Sequence, residues 1–209
     1  MPVLAVLAVL VPGWSPDAAN ASVVVQQLIT VQASSYSTSY ATLRVYRVSG
    51  TQRTLVYGPW TARVGYNGVA RPGTKREGDG KTPSGTYGFS FFFGVQPYPG
   101  GFYFGWRRAW TFSYWDDDSA SPRYNEWVDA RYANPGRNPE PMHNVPAYNY
   151  AAVIAYNTAR VPGLGSAIFL HVGTGGSTAG CVSLPSGELL EVLRWLRPAA
   201  NPRIAISGL

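Results

Sequence analysis

The segment Ser166–Pro185 reads SAIFLHVGTGGSTAGCVSLP, and it contains the only cysteine of the chain and one of its two histidines. On either side of its glycine-rich centre, SAIFLHV and CVSL are apolar and β-branched enough to predict two strands. We expect the turn 173–180 to join them as a hairpin, in which facing side chains have Cβ atoms ~4.5–5.5 Å apart. His171 would then face Cys181 on a rigid sheet.

A thiol and an imidazole in this arrangement predict nucleophilic catalysis. A free cysteine has a pKa of ~8.5 and is mostly protonated at neutral pH, so attack requires a neighbouring group to take the proton. His171 is the group that would take it from Cys181. The N–H groups of Gly180 and Cys181 are candidate oxyanion donors, since glycine lets a substrate backbone approach closely. Thr178 and Ser177 are candidates to orient the substrate or His171.

The histidines and the cysteine of the chain also limit which classes of catalytic site are possible. No histidine follows Cys181, which excludes the papain-like order of cysteine before histidine. Two histidines and one cysteine, without C-x-x-C, H-E-x-x-H or H-x-H spacing, predict no metal site, and the proposed chemistry needs no cofactor. The second histidine, His143, lies in the proline-rich stretch PEPMHNVPAYNY and is expected to be a solvated loop histidine.

The rest of the chain predicts a mostly β domain with one clear C-terminal helix. Short segments rich in Val, Ile, Thr and aromatic residues alternate with Gly, Pro, Asn and Ser. In SGELLEVLRWLRP, leucine and valine recur at i, i+3, i+4 and i+7, which is typical of an amphipathic helix, and Pro198 closes it. Residues 94–145 form a long region rich in aromatic residues, without a clear helical or strand period. Long regions of this kind in compact domains are often functional loops. We assign residues 22–209 to a single domain.

The first 21 residues resemble a secretory signal peptide. An apolar run too short to span a membrane is followed by Ala19-Asn20-Ala21, an A-x-A-like cleavage signal, although no Lys or Arg precedes the run. The net charge is +6, but the basic residues are dispersed, which disfavours nucleic acid as a partner. A diffuse positive field would attract anionic cell-wall polymers. These features predict a secreted protein.

Two segments of the chain resemble L,D-transpeptidase catalytic domains of the YkuD type. The stretch HVGTGGSTAGCVSLP resembles the signature of that family, with Thr178, Gly180 and Cys181 at its defining positions. Upstream, RPGTKREGDGKTPSGTYGF at 71–89 is similar to the family's G-D-x-x-T-P-x-G-x-[YF] stretch. The resemblance covers roughly residues 60–209, and the C-terminal part resembles an actinobacterial-type subgroup.

The resemblance implies a YkuD-type fold, sandwich- or barrel-like, in an enzyme of the cell wall. Its substrates would be peptidoglycan stem peptides, one as donor and one as acceptor. Cys181 would attack the bond between the third residue and D-Ala, a thioester would form, and the side-chain amine of a second stem would resolve it as a 3→3 cross-link. Resolution by water would give L,D-carboxypeptidase activity.

The sequence departs from the family pattern beside the nucleophile. Ala179 stands where a histidine is frequent, and Ser183 stands where many members carry Arg or Asn. That Arg or Asn commonly helps the site, so another group is expected to replace it, with Arg160 and Arg123 as candidates.

Other interpretations stay open at this stage. One is a sortase-type transpeptidase, although the T-L-x-T-C type signature is absent. Another is a non-catalytic peptidoglycan-binding module with the same fold. Asp116, Asp117 and Asp118 are either a solvated loop, a cation site or contacts to the acceptor amine. Tyr124, Asn125 and Trp127 either line a cleft for sugar and peptide or fill the core.

Overall fold

A computed structural model of the chain describes residues 26–209, and the predicted signal peptide at 1–21 lies outside them. The described part is mostly β with one α-helix near the C-terminus, as the sequence predicts. None of its helices is long and apolar enough to cross a lipid bilayer.

The strands and helices follow one another in this order: β1 (Gln27–Ala33), β2 (Tyr40–Ser49), β3 (Gln52–Arg63), β4 (Val69–Ala70), β5 (Thr82–Pro83), β6 (Gly85–Tyr87), β7 (Phe89–Gly94), β8 (Trp106–Arg108), β9 (Ser113–Asp116), β10 (Glu126–Asp129), β11 (Glu140–Pro141), β12 (Ala151–Ile154), β13 (Phe169–Val172), β14 (Val182–Leu184), α1 (Ser186–Trp195), a 3₁₀ turn (Pro198–Ala200) and β15 (Arg203–Gly208).

Ten of the strands form one curled sheet in the order β6-β15-β1-β2-β3-β14-β13-β12-β7-β8. Most neighbours are antiparallel, but β1/β15, β13/β14 and β7/β8 run parallel. A three-stranded sheet, β10-β9-β11, comes from the long aromatic region 94–145. That region is therefore largely ordered, and it packs on one face of the large sheet through Trp115 and Trp127.

The predicted hairpin between the histidine and cysteine strands is wrong, because β13 and β14 are parallel. Their loop does not turn back tightly. It leaves β13 and runs beside the segment that follows β3, where Thr178 N–H donates to Val64 and Tyr66 N–H donates to Thr178. Parallel pairing normally needs a crossover of a dozen or more residues, but strands of three or four residues are only ~10–13 Å long, so a shorter loop can span them.

Side chains of the central strands alternate between two different faces. On one face, Leu170 and Val172 of β13 join Val182 and Leu184 of β14 in an aliphatic core. Helix α1 covers this core with Leu189, Val192 and Leu193 of its predicted apolar stripe. The fourth residue, Leu196, is also buried but follows the helix, which ends at Trp195, earlier than the predicted end at Pro198. We call this the helix face. The other, which we call the site face, holds Phe93, Phe169 and Cys181 against the aromatic region.

Candidate active site

The site face brings His171 and Cys181 into one cleft. In the parallel register His171 pairs with Ser183, and Cys181 precedes Ser183 by two residues, so all three side chains point to the same side of the sheet. The cleft has a volume of about 360 Å³. We call it the Cys181 cleft; its principal lining residues are Lys75, Glu77, Asp117, Glu140, Tyr148, His171, Ser177, Thr178, Gly180, Cys181 and Ser183.

The Cys181 thiol is almost fully buried and is held by backbone groups. Its Sγ lies 3.3 Å from the carbonyl oxygen of Ala167, to which the S–H donates, and accepts a hydrogen bond from the N–H of Phe169 at 3.3 Å. Only 7% of the residue is exposed. Burial raises the pKa of the thiol to about 12. At neutral pH the Cys181 side chain is therefore a protonated thiol rather than a thiolate.

The imidazole of His171 is fixed in the tautomer that a general base requires. Its Nδ1 lies 2.8 Å from the carbonyl oxygen of Val172, and since a carbonyl can only accept, Nδ1 carries the proton. Nε2 of the neutral ring is then left with its lone pair. Burial lowers the pKa of His171 to about 4, so the ring stays neutral at physiological pH. The ring edge packs against Tyr148, with ring centroids 5.5 Å apart.

Thiol and imidazole thus rest as a neutral pair. Among the hydrogen bonds of residues 26–209, none joins Sγ to the ring, because the S–H is directed to Ala167. In the described structure the thiol proton is thus shared with the Ala167 carbonyl and not with His171. His171 and Cys181 line the same cleft, and it is the parallel register of β13 and β14, not the predicted hairpin, that places them there.

The loop before the cysteine is fastened by Thr178. Its Oγ1 donates to the carbonyl oxygen of Cys181 at 2.7 Å and accepts from the N–H of Gly180 at 3.2 Å. The Gly180 N–H is therefore not free for an oxyanion, contrary to the prediction, and of the two proposed donors the Cys181 N–H remains. Gly180 has a φ of 155°, and a Cβ there would lie 3.1 Å from the carbonyl oxygen of Lys81. Ser177 is exposed at the rim, and Ser183 is buried beside His171.

The upstream motif forms part of the wall of the cleft, and it supplies two residues that the sequence did not single out. Thr82 Oγ1 donates to the Cys181 carbonyl oxygen at 3.0 Å, so that carbonyl accepts two hydroxyl groups. Lys75 is buried, and its Nζ donates to Asp79 and to the carbonyl oxygen of Arg76, both at 2.6 Å. The signal for Lys75 was its rarity, since the chain has only two lysines.

Lys75 brings a positive charge to the Cys181 cleft. Within residues 26–209 it is the one Lys or Arg lining the Cys181 cleft, and its charge lowers the pKa of Cys181 against the larger effect of burial. The two candidates from sequence lie elsewhere: Arg160 pairs with Glu126, and Arg123 lines a separate surface pocket. Lys75 is thus better placed than either to stand in for the Arg or Asn missing at Ser183.

Three carboxylic acids also line the Cys181 cleft: Glu77, Asp117 and Glu140. Asp117 accepts the Glu140 N–H at 3.1 Å, and Glu140 accepts the hydroxyl of Tyr148 at 2.9 Å. Burial raises the pKa of Asp117 to about 7, with the nearby carboxylates adding to the effect. Burial also raises the pKa of Glu140.

The remaining predicted residues are separated by the fold. Of the three consecutive aspartates only Asp117 lines the cleft; Asp116 and Asp118 accept loop hydrogen bonds from Ser121 and from the N–H groups of residues 120 and 137. No group of three or more potential metal ligands occurs within residues 26–209. His143 is exposed, as the solvated-loop interpretation predicts.

Tyr124, Asn125 and Trp127, which the sequence grouped together, have different positions. Tyr124 is buried and its hydroxyl donates to Glu77. Asn125 and Trp127 line a second pocket on the site face. Each interpretation from sequence therefore holds in part: Tyr124 belongs to the core, whereas Asn125 and Trp127 line a pocket.

Comparison with known proteins yields one clear result. The family model described as YkuD, L,D-transpeptidase catalytic domain, matches residues 33–204. The match spans both segments singled out from sequence and the strands between them. Searches of curated proteins and of solved structures gave no significant match.

Proposed function

This chain belongs to the YkuD family of L,D-transpeptidase catalytic domains, and we propose that it is a cysteine-dependent L,D-transpeptidase that forms 3→3 cross-links in peptidoglycan. The observation that carries the proposal is the Cys181 cleft. It holds the one cysteine of the chain beside a neutral His171 whose Nδ1–H is fixed on a carbonyl, so that Nε2 is the basic nitrogen.

The neutral pair specifies the first half of the reaction. As Sγ attacks the carbonyl carbon of the third stem residue, Nε2 of His171 accepts the thiol proton. The Cys181 N–H is the donor proposed for the developing oxyanion. When the tetrahedral intermediate collapses, the bond to D-Ala breaks and His171 returns the proton to the leaving amine. Free D-Ala and a thioester on Cys181 result.

The second half reverses these roles. The side-chain amine of an acceptor stem attacks the thioester carbonyl, His171 takes a proton from the amine, and the thiolate leaves and is reprotonated. An amide joining two third residues remains, which is the 3→3 cross-link. Water in place of the amine gives a free carboxylate, and the enzyme then acts as an L,D-carboxypeptidase.

We place this activity outside the cytoplasm. Its substrate is part of the cell wall, and residues 1–21 resemble a signal peptide. The net charge of +6 favours residence near anionic wall polymers. The actinobacterial-like subgroup remains a prediction from the C-terminal sequence.

One observation favours a second candidate, a non-catalytic peptidoglycan-binding module. Cys181 is 7% exposed and burial raises its pKa to about 12, as in a structural cysteine. A high pKa does not by itself separate the candidates, because a general-base mechanism starts from the thiol. Acylation does separate them. The match to the YkuD family model favours an L,D-transpeptidase over the sortase-type alternative.

The test is incubation of the full chain with disaccharide-tetrapeptide, analysed by mass spectrometry. We expect release of D-Ala and a 3→3 dimer from the wild type, and neither from Cys181→Ala. A carbapenem should form a covalent adduct that peptide mapping places on Cys181. Absence of turnover and of adduct in a folded wild-type protein would favour the binding module, and full activity of Cys181→Ala would exclude the proposed nucleophile.

A further inference from the structure

A second pocket lies on the site face, next to the Cys181 cleft. It has a volume of about 430 Å³ and is open to solvent. We call it the Trp127 pocket; its aromatic and polar lining includes Phe91, Arg107, Trp115, Asn125, Trp127 and Arg160. The proposed transpeptidase mechanism uses none of them.

The two pockets meet at residues 167 and 168, of which Ala167 lines the Cys181 cleft. The side chain of Ile168 lines both, and its Cδ1 would lie 3.4 Å from a Cβ on Gly180, next to the nucleophile. Ala167 is fixed from both sides: its N–H donates to Asn125 Oδ1 at 3.2 Å, and its carbonyl oxygen accepts the Cys181 S–H at 3.3 Å. One residue of backbone therefore connects the Trp127 pocket to the thiol.

The lining of the Trp127 pocket combines aromatic rings with hydrogen-bonding groups of both kinds. Phe91, Trp115 and Trp127 pack against one another, and the guanidinium of Arg107 lies 4.0 Å above the ring of Phe91. At the rim, Arg160 pairs with Glu126. Aromatic surface suits the apolar C–H faces of a sugar, while guanidinium donors and a carboxylate acceptor suit its hydroxyl and acetamido groups.

The ligand must also be within reach of the nucleophile. Under the proposed function, the carbonyl of the third stem residue lies at Cys181, and the stem is attached to an N-acetylated sugar two residues further back. An extended chain spans at most ~3.3–3.6 Å per residue, so the three stem residues up to the reacting carbonyl span at most roughly 10–11 Å, and the link to the sugar adds to this length. The Trp127 pocket adjoins the Cys181 cleft at Ile168, which lines both, so a ligand of this length can occupy the two pockets together.

We propose that the Trp127 pocket binds an N-acetylated sugar of the glycan strand that carries the donor stem. The enzyme would thereby prefer stems attached to glycan over free stem peptides. The inference rests on the proposed function for the identity of the stem, and on the pocket's own lining for the identity of the sugar.

Binding tests the pocket without any reaction. The probe is chitotetraose, an N-acetylated glycan without peptide, titrated into the full chain by isothermal calorimetry. We expect saturable binding to the wild type, a loss of about tenfold in affinity for Arg107→Ala, and no change for Arg123→Ala, an exposed arginine outside the pocket. A second variant, Trp127→Leu, should lose binding too. Absence of wild-type binding, or equal loss in Arg123→Ala, would overturn the proposal.

Kinetics test the link to the stem. With disaccharide-tetrapeptide, Arg107→Ala should raise KM by about tenfold and leave kcat unchanged, whereas KM for the free tetrapeptide should not change. An equal rise for both substrates would mean that the pocket binds peptide, and would overturn the sugar assignment. Loss of turnover and of carbapenem acylation in the wild type would instead contradict the proposed function, and chitotetraose binding would still decide the pocket.

Discussion

The two faces of the central sheet differ in what they bury. On the helix face, β13 and β14 contribute only Leu and Val, and α1 covers them with more aliphatic side chains. On the site face the same two strands contribute Phe169, His171 and Ser183, and Cys181 directly precedes β14. Because strand side chains alternate, one short pair of strands serves both purposes. The fold's stability and its chemistry are thereby supported by opposite sides of the same backbone.

The site face also stabilises uncharged forms of groups that are usually charged or easily charged. Burial lowers the pKa of His171 to about 4, raises that of Cys181 to about 12 and raises that of Asp117 to about 7. In each case the neutral form is favoured. A cleft of this kind suits a reaction in which a thiol proton moves to an imidazole and back, and it predicts that site-face substitutions alter activity and pH dependence more than stability.

The largest expected effect is on activity, from His171→Gln. Glutamine keeps a polar side chain of similar length but cannot act as base, so acylation of Cys181 should slow by about 10²–10⁴-fold. The thermal midpoint should change little. The rate of carbapenem adduct formation measures this, with His143→Gln at the exposed histidine as the control. Equal rates in wild type and His171→Gln would show that the imidazole is not the base.

The opposite pattern is expected from Leu193→Ala on the helix face. Leu193 is fully buried on the core-facing side of α1, and truncation of such a leucine typically lowers the free energy of unfolding by about 2–5 kcal/mol. The kcat of the folded protein should stay the same. Urea denaturation and turnover measure the two quantities, with the exposed Glu191→Ala as a helix control. A large fall in kcat at full folding would show that the two faces are coupled.

Most of the elements that form the two faces of the sheet could be predicted from the sequence. The apolar stripe of α1 follows a helical period, and the strands follow their composition, since both patterns are local. His171 and Cys181 stood out because their residue types are rare in this chain. The direction of β14 was not legible, because a glycine-rich loop of this length permits a tight turn or a short crossover.

Two other residues of the site, Thr82 and Asp117, could not be identified from local sequence patterns. Thr82 and the Cys181 carbonyl it binds are 99 positions apart, and only the assembled sheet brings them together. Asp117 lines the cleft, whereas Asp116 and Asp118 do not, because the three side chains point in different directions where β9 leads into its connection to β10. Three adjacent carboxylates carry no sequence signal that distinguishes them.

Thr178→Val is expected to have a smaller effect, which falls on both stability and activity. Valine keeps the shape but removes the hydroxyl that bonds the Cys181 carbonyl and the Gly180 N–H. The variant leaves the buried Gly180 N–H unpaired, while the Cys181 carbonyl keeps the Thr82 hydroxyl. The loss should lower the free energy of unfolding by about 1–3 kcal/mol and slow acylation, since this loop carries the proposed nucleophile. The exposed Thr111→Val is the matched control. Unchanged stability and acylation would mean that Thr178 merely fills space.

The smallest effect expected concerns the charge of Asp117, and its sign depends on pH. Burial raises the carboxyl pKa to about 7 in the folded protein, well above its unfolded value of ~3.9, so the folded state binds protons more tightly between these values. Folding stability from this group therefore falls as pH rises from about 4 to about 7.

Asp117→Asn removes this penalty and keeps an oxygen for the Glu140 N–H. The variant should exceed the wild type in free energy of unfolding by about 1–2 kcal/mol at pH 8, because a partly solvated charge is screened, and the excess should shrink by pH 4.5. The depressed pKa of His171 makes stability rise from pH 4 to 6.5, but it acts equally in both proteins and cancels. Urea denaturation at the two pH values measures the difference. An excess that is the same at both would show that the Asp117 carboxylate is well solvated, and the site face would then tolerate charge as an ordinary surface does.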